Sequence, residues 1–144
     1  MAIEDPKIFT AAVDDLLGSG NWVSDDHCAH LFTAYTFDAS DATKNDMVMT
    51  EVAATGGYSQ DGELLSGEAV NTSGANVYLD SDAIEWTSST ITAKYLVVFQ
   101  KGTGALQTTH VPVFYISLDS GGDVSSTSGT FKVTPNANGW FGFA

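Results

Sequence analysis

Apolar positions along this chain repeat in two different ways. Near the start, Phe9, Ala12, Val13, Leu16 and Leu17 recur three and four residues apart, the spacing of one helix face, and Ile8 widens that face. Asp5-Pro6 precedes them. Asp is a favoured N-cap, and Pro is tolerated at the first helical position, where its missing N–H would have no partner. Gly18-Ser19-Gly20 follows as a stop signal. The pattern predicts one amphipathic helix over 6–17.

Everything after it has the shorter period of β-structure. The two fullest runs are 85–99 and 111–122, dense in β-branched and aromatic residues that suit a pleated, buried surface. They predict two long strands. Residues 28–37 place Leu31, Thr33, Tyr35 and Phe37 on one parity, with Cys28, His30 and Phe32 on the other. A polar loop is predicted at 38–46 and a short strand at 47–52. Gly56-Gly57-Tyr58 and Gln60-Asp61-Gly62 read as turns, and 63–71 alternates loosely around Leu65 and Val70. Shorter strands are predicted at 77–79, 84–86 and 130–134, with Trp140, Phe141 and Phe143 closing the chain. Eight or nine strands with regular turn signals and no βαβ alternation suit a mainly β, antiparallel sandwich or jelly-roll-like domain with one N-terminal amphipathic helix. No repeat or linker divides it. The expectation is a single domain over 1–144, with the helix at 6–17 and the β-sandwich over about 28–143.

Charge alters this ordinary picture. The chain has 144 residues, of which five are Lys, none Arg and eighteen Asp or Glu, a formal net charge of −13. Nucleic acid and anionic membrane surfaces both select for clustered cations, so neither is an expected partner. The acidic surface keeps the chain dispersed, or meets a basic partner. No run reaches the roughly 18 apolar residues of a membrane helix, and the first residues lack the pattern of a signal peptide. Synthesis without export is the expectation.

Candidate chemistry is sparse. Cys28 is the only cysteine, which excludes an intrachain disulfide, and a buried inert thiol is expected. His27-Cys28-Ala29-His30 invites a metal reading. On a strand Cys28 and His30 would share a face while His27 points away. A second ligand cluster is not apparent, and His110 stands alone in sequence, so the expectation is no metal and no cofactor. Asp38, Asp41 and Asp46, the pair Asp80 and Asp82, and Asp119 with Asp123 match no calcium loop, and turn hydrogen bonding explains them. Gly102-Thr103-Gly104 lacks the helix and third glycine of a phosphate cradle. No nucleophile elbow is present, and no catalytic residue is expected. The aromatic C-terminus is either a last strand tucked into the sheet or an anchor for a neighbouring subunit.

The order of pieces resembles the small virion proteins of tailed bacteriophages. A helix with a bulky apolar face (Ile8 to Leu17) is followed by Asn21-Trp22, a strand through Leu31-Phe32-Thr33-Ala34-Tyr35, and Glu51-Val52. Then come Thr55-Gly56-Gly57-Tyr58 and Gly62, Leu79-Asp80, Trp86, and Ser89-Thr90-Ile91-Thr92-Ala93-Lys94. The last parts are a Tyr-Ile-x-Leu-Asp-x-Gly strand at 115–121 and Phe-x-Val-Thr at 131–134. The similarity runs from about residue 8 to residue 140. The polar segment 38–46 varies among such proteins, and Lys94 stands where Arg is common.

This resemblance implies a non-enzymatic structural component of the virion. Within that class it points to a capsid cement or decoration protein, a homotrimer that binds and stabilises the shell of major capsid protein. Such a protein is made in the host cytoplasm and ends on the capsid surface. The alternatives are a tail or neck component, or a glycan-binding adhesin-like module; a free-standing Ig-like or carbohydrate-binding domain is the unrelated reading. The expected subunit or shell contacts are Phe9, Val13, Trp140, Phe141 and Phe143. A flat apolar patch that includes the helix or a terminus would favour the cement role. Exposed coplanar aromatics around a groove would favour glycan binding.

Overall fold

The structure, a computed structural model, describes residues 4–17, 21–101 and 110–143. In chain order its elements are β1 (Glu4–Ile8), α1 (Thr10–Leu17), β2 (His27–Tyr35), a single 3-10 turn (Lys44–Asp46), β3 (Met49–Glu51), β4 (Glu63–Leu64) and β5 (Ala69–Ser73). There follow β6 (Asn76–Asp80), β7 (Ile84–Ser89), β8 (Thr92–Ala93), β9 (Tyr95–Gln100), β10 (Val111–Ser117), β11 (Val124–Ser125), β12 (Gly129–Val133) and β13 (Phe141–Phe143). The chain is mainly β and its strand pairs are antiparallel, as expected, and among the described residues there is one short α-helix near the N-terminus. The main sheet has the order β1-β10-β9-β2-β3, with β4 also pairing β2. The smaller sheets are β13-β6-β5, β12-β7 and β11-β8.

Register assigns the faces of the main sheet, because opposed residues point the same way. Cys28, His30 and Phe32 oppose Phe99, Val97 and Tyr95, and Tyr115 opposes Val97, which puts all seven on one face. Ala29, Leu31, Leu96, Val98, Phe114 and Ile116 form the other face. On that second face the rings of Trp22 and Trp140 lie 5.9 and 6.3 Å from Phe114. On the first, Tyr35, Phe37 and Tyr95 surround Tyr115 at 5.4–5.7 Å. Leu96, Val97, Val98 and Phe99 are all fully buried, so β9 is covered from both sides.

Three sequence expectations are corrected here. The helix begins at Thr10 rather than residue 6, because residues 4–8 pair with the edge of β10. Pro6 falls where the register shifts between Glu4 and Lys7, on an edge strand where a missing N–H is tolerated. The helix N-terminus is therefore set by the backbone rather than by Asp5. Phe9 accepts from the Val13 N–H at 3.2 Å, and the Thr10 N–H reaches the Ala39 carbonyl at 2.9 Å. Tyr35 joins the face of Phe32 (6.3 Å between rings) rather than that of Leu31, because the register of β2 on β3 shifts between Phe32 and Ala34.

The 85–99 run is three strands, β7, β8 and β9, not one. Its chain changes partners from β12 to β11 to β2 and β10, with Ser88 at φ 51 and the Thr90 N–H bonded to the Gly56 carbonyl. The 111–122 run ends as strand at Ser117. Ser120 and Gly121, at φ 45 and 79, then make a tight turn closed by the Gly122 N–H on the Asp119 carbonyl. Gly18-Ser19-Gly20, Gly102-Thr103-Gly104 and Ala144 lie outside the described residues.

Trp140 joins the C-terminal strand to the second face. It is 1% exposed, and its indole N–H donates to Ser81 Oγ at 2.8 Å. Trp140→Ala removes a large core ring and the bond it gives to Ser81, whose hydroxyl still donates to the Asp82 carbonyl at 2.9 Å, so it should destabilise the fold by about 3–5 kcal/mol. Urea unfolding at 25 °C measures this; a change below about 1 kcal/mol would mean the ring is not core.

Candidate functional site

Two features stand apart from plain packing, an apolar groove on the surface and a polar cluster in the interior. The residues expected at an interface divide between core and surface. Phe9 is 0% exposed, with its ring 5.0 Å from Phe37, and Trp140 is buried as described. Neither has surface to offer, which corrects their assignment as contact residues: their size made them candidates, and size also makes them core. Val13 and Phe141 are half-buried, and Phe143 remains exposed. The aromatic terminus is a strand, β13, paired with β6 through Phe141↔Leu79 and Phe143↔Val77.

Phe143 opens onto the groove, a cavity of about 480 Å³ lined by Leu16, Asn21, Trp22, Val70, Val77, Leu79 and Phe143. Its walls come from α1, the segment after it, and the β13-β6-β5 sheet. Among the described residues no charged side chain lines it. Val70, Val77 and Phe143 are among the exposed large hydrophobics of the described chain. The sequence signalled Phe143. It gave no signal for Val70 and Val77, because alternation on β5 and β6 does not say which face lacks a cover.

The interior cluster centres on β2. Cys28 Sγ lies 3.5 Å from His30 Nε2 and 3.5 Å from His110 Nδ1. His110 stands immediately before β10. Its carbonyl accepts the Lys44 N–H at 2.9 Å, which seats the 3-10 turn against this end of the sheet. His30 Nδ1 is 2.7 Å from Glu51 Oε1 at the end of β3. Lys44 Nζ meets Glu51 Oε2 at 2.7 Å, and the Tyr58 hydroxyl donates to Oε1 at 2.8 Å. Tyr58 in turn accepts the Leu31 N–H at 2.9 Å, on the edge of β2 between its pairings with β3 and β4. Gly62 packs over the His30 ring. A Cβ there would come 2.5 Å from Nε2 and 3.0 Å from both flanking carbons, a contact over the ring rather than along the lone pair.

Burial governs the protonation of this cluster. Cys28, His30 and His110 are at most 2% exposed. Desolvation pushes the Cys28 thiol up to about 12 and the His110 imidazole down to about 4. His30 is held below its ordinary value by burial, with Lys44 adding to the effect. Burial alone would raise Glu51, but hydrogen bonds from His30 and Lys44 outweigh it and keep the carboxyl below the usual range. A neutral His30 with an ionised Glu51 places the imidazole proton on Nδ1 and leaves the Nε2 lone pair towards sulfur.

Cys28, His30 and Glu51 follow the order of nucleophile, base and orienting carboxylate. The setting opposes that use, because an activated thiol needs access and a lowered pKa, and Cys28 has neither. The expectation that His110 stands apart is corrected: two of the three histidines meet the only cysteine. His27 points away as expected, with its ring 4.3 Å from that of Trp22. His110 lies 82 residues from Cys28, and no local spacing could have joined them. The Asp-rich segments act in turns. Asp38 accepts from Ser40 N–H and Oγ, Asp46 from Thr43 N–H and Oγ1, and Asp41 from the Tyr35 hydroxyl.

No known protein family, characterised protein or solved structure matches this chain. The functional reading therefore stands on the residues and their arrangement.

Lys44 is 5% exposed and Glu51 9%, so Lys44→Met leaves a largely buried carboxylate without its cation and should destabilise the fold by about 3–5 kcal/mol. Lys44→Met combined with Glu51→Gln should recover part of that loss. Equilibrium unfolding of the two single variants and the double variant measures the coupling; strictly additive losses would mean the two charges act independently.

Proposed function

We propose that this chain is a non-enzymatic structural protein of a tailed-phage particle, a cement protein that self-associates as a trimer and binds the major capsid protein. The observation that carries this reading is the apolar groove between α1 and the C-terminal strand, whose described lining carries no charge. It has the composition expected of an assembly contact and includes both the helix and the terminus. Copies of a chain with net charge −13 repel one another, and an uncharged patch is where they can meet at least electrostatic cost. A contact in which a different surface of the next copy enters the groove closes into a ring if the rotation is one-third of a turn.

The acidic remainder then faces outwards and favours a basic shell surface. Binding assembled shell but not free subunits stabilises the shell by mass action. The exposed large hydrophobics of the described chain are five aliphatic residues and Phe143, not a coplanar aromatic platform, which favours assembly over glycan binding.

Val77→Asp places a charge in the groove wall. It should weaken self-association by roughly tenfold to a hundredfold, the loss of a central contact of about 1–3 kcal/mol. Light scattering across a concentration series measures the mass, and co-sedimentation with empty shells measures attachment. A wild-type chain that stays monomeric and leaves shells unbound would overturn the reading. So would particles that carry the protein only at a tail vertex, seen by cryo-electron microscopy.

A further inference from the structure

The interior cluster needs an explanation that assembly does not supply. Cys28 Sγ, His30 Nε2 and His110 Nδ1 converge in the buried interior, and all three candidate ligand atoms lie within 4.8 Å of one another. Among the described residues no other His, Cys, Asp or Glu side chains converge in this way. We propose that these three residues bind one zinc-like divalent metal ion, which fastens β2 to the start of β10.

Geometry supports this first. A tetrahedral ion with metal–sulfur bonds of about 2.3 Å and metal–nitrogen bonds of about 2.0–2.1 Å sets its S···N edges at roughly 3.5–3.6 Å. Both sulfur–nitrogen separations are 3.5 Å. Both sulfur–nitrogen edges already stand at coordination spacing; the two nitrogens lie within 4.8 Å of one another, and that edge closes to about 3.3 Å when the ion binds.

The surroundings of His30 support it independently. A metal-binding imidazole commonly gives its other N–H to a carboxylate, which fixes the tautomer and raises the basicity of the ligating nitrogen. Glu51 does this for Nδ1 at 2.7 Å, and is itself fixed by Lys44 and Tyr58. Without metal, the thiol can donate S–H to His30 Nε2 and accept N–H from His110 Nδ1, both weak sulfur hydrogen bonds; a cation would engage sulfur and both nitrogens at once.

On binding, the thiol proton leaves to water, the thiolate bonds to the metal, and each imidazole donates a lone pair. No oxidant or reductant takes part. Thiolate with two imidazoles is a borderline-soft donor set that zinc accepts, and the fourth tetrahedral position goes to water or another donor. The ion then bridges residues 82 apart in sequence. This role is separate from the groove, which shares no residue with the cluster.

The test uses the full chain stripped of metal with a chelator and titrated with Co²⁺. One equivalent should produce visible ligand-field bands of tetrahedral strength together with a thiolate-to-cobalt band in the near ultraviolet. Because Cys28 is the only cysteine, that band identifies the ligand in wild-type protein, without reliance on a variant that could misfold. Zn²⁺ should displace the cobalt and raise the thermal midpoint of the wild type. Folded His110→Ala should lose the tetrahedral spectrum. Absence of a thiolate band in folded wild-type chain at saturating cobalt would overturn the proposal. Retention of the full spectrum in folded His110→Ala would also overturn it. Loss of shell binding has no bearing on either spectrum, so this proposal and the cement reading fail separately.

Discussion

The architecture depends on one constraint: β9, and β10 beside it, must be hidden on both faces. Leu96 through Phe99 and Pro112 through Ser117 are buried without alternation. An antiparallel sheet with one wet face would show apolar and polar residues by turns. Here a second cover is obligatory. One face is met by Trp22 and Trp140, the other by the aromatic group around Tyr115 and by the polar cluster. The brief N-terminal helix, the 3-10 turn and the C-terminal strand can be understood as parts of those covers.

The polar cluster is the exception within that design. A buried carboxylate is tolerated only where its charge and lone pairs are satisfied. Glu51 meets that condition through three side chains drawn from separate segments: His30 on β2, Lys44 in the 3-10 turn, and Tyr58 in the loop after β3. One acid therefore fixes the position of two loops relative to the central strand. Hydrophobic burial alone is nondirectional and would hold those loops less specifically.

Much of the fold was legible in the sequence. The β-class followed from runs such as 111–117, and β2 and β12 lie close to where their residue types place them. What could not be read was the choice of partner. Nothing local to Thr90 and Ile91 says that the chain leaves one sheet for another there. Pro6 suits a helix start and an edge strand equally, and the free edge of β10 decided between them. The cluster was half visible: Cys28 and His30 share a strand face by simple parity, while His110 and Glu51 arrive only through tertiary structure. For the groove, exposure of Val70 and Val77 depends on what does not cover them, and alternation is silent on that.

Sealing the only sulfhydryl inside the sheet has a consequence for copies held at high local concentration in air. Thiol exchange and oxidation begin at accessible thiolates, and Cys28 is not accessible. Copies that met would have no route to a disulfide between them through Cys28, so any such contact would stay reversible. A chain with a surface cysteine would risk making its first mistake permanent.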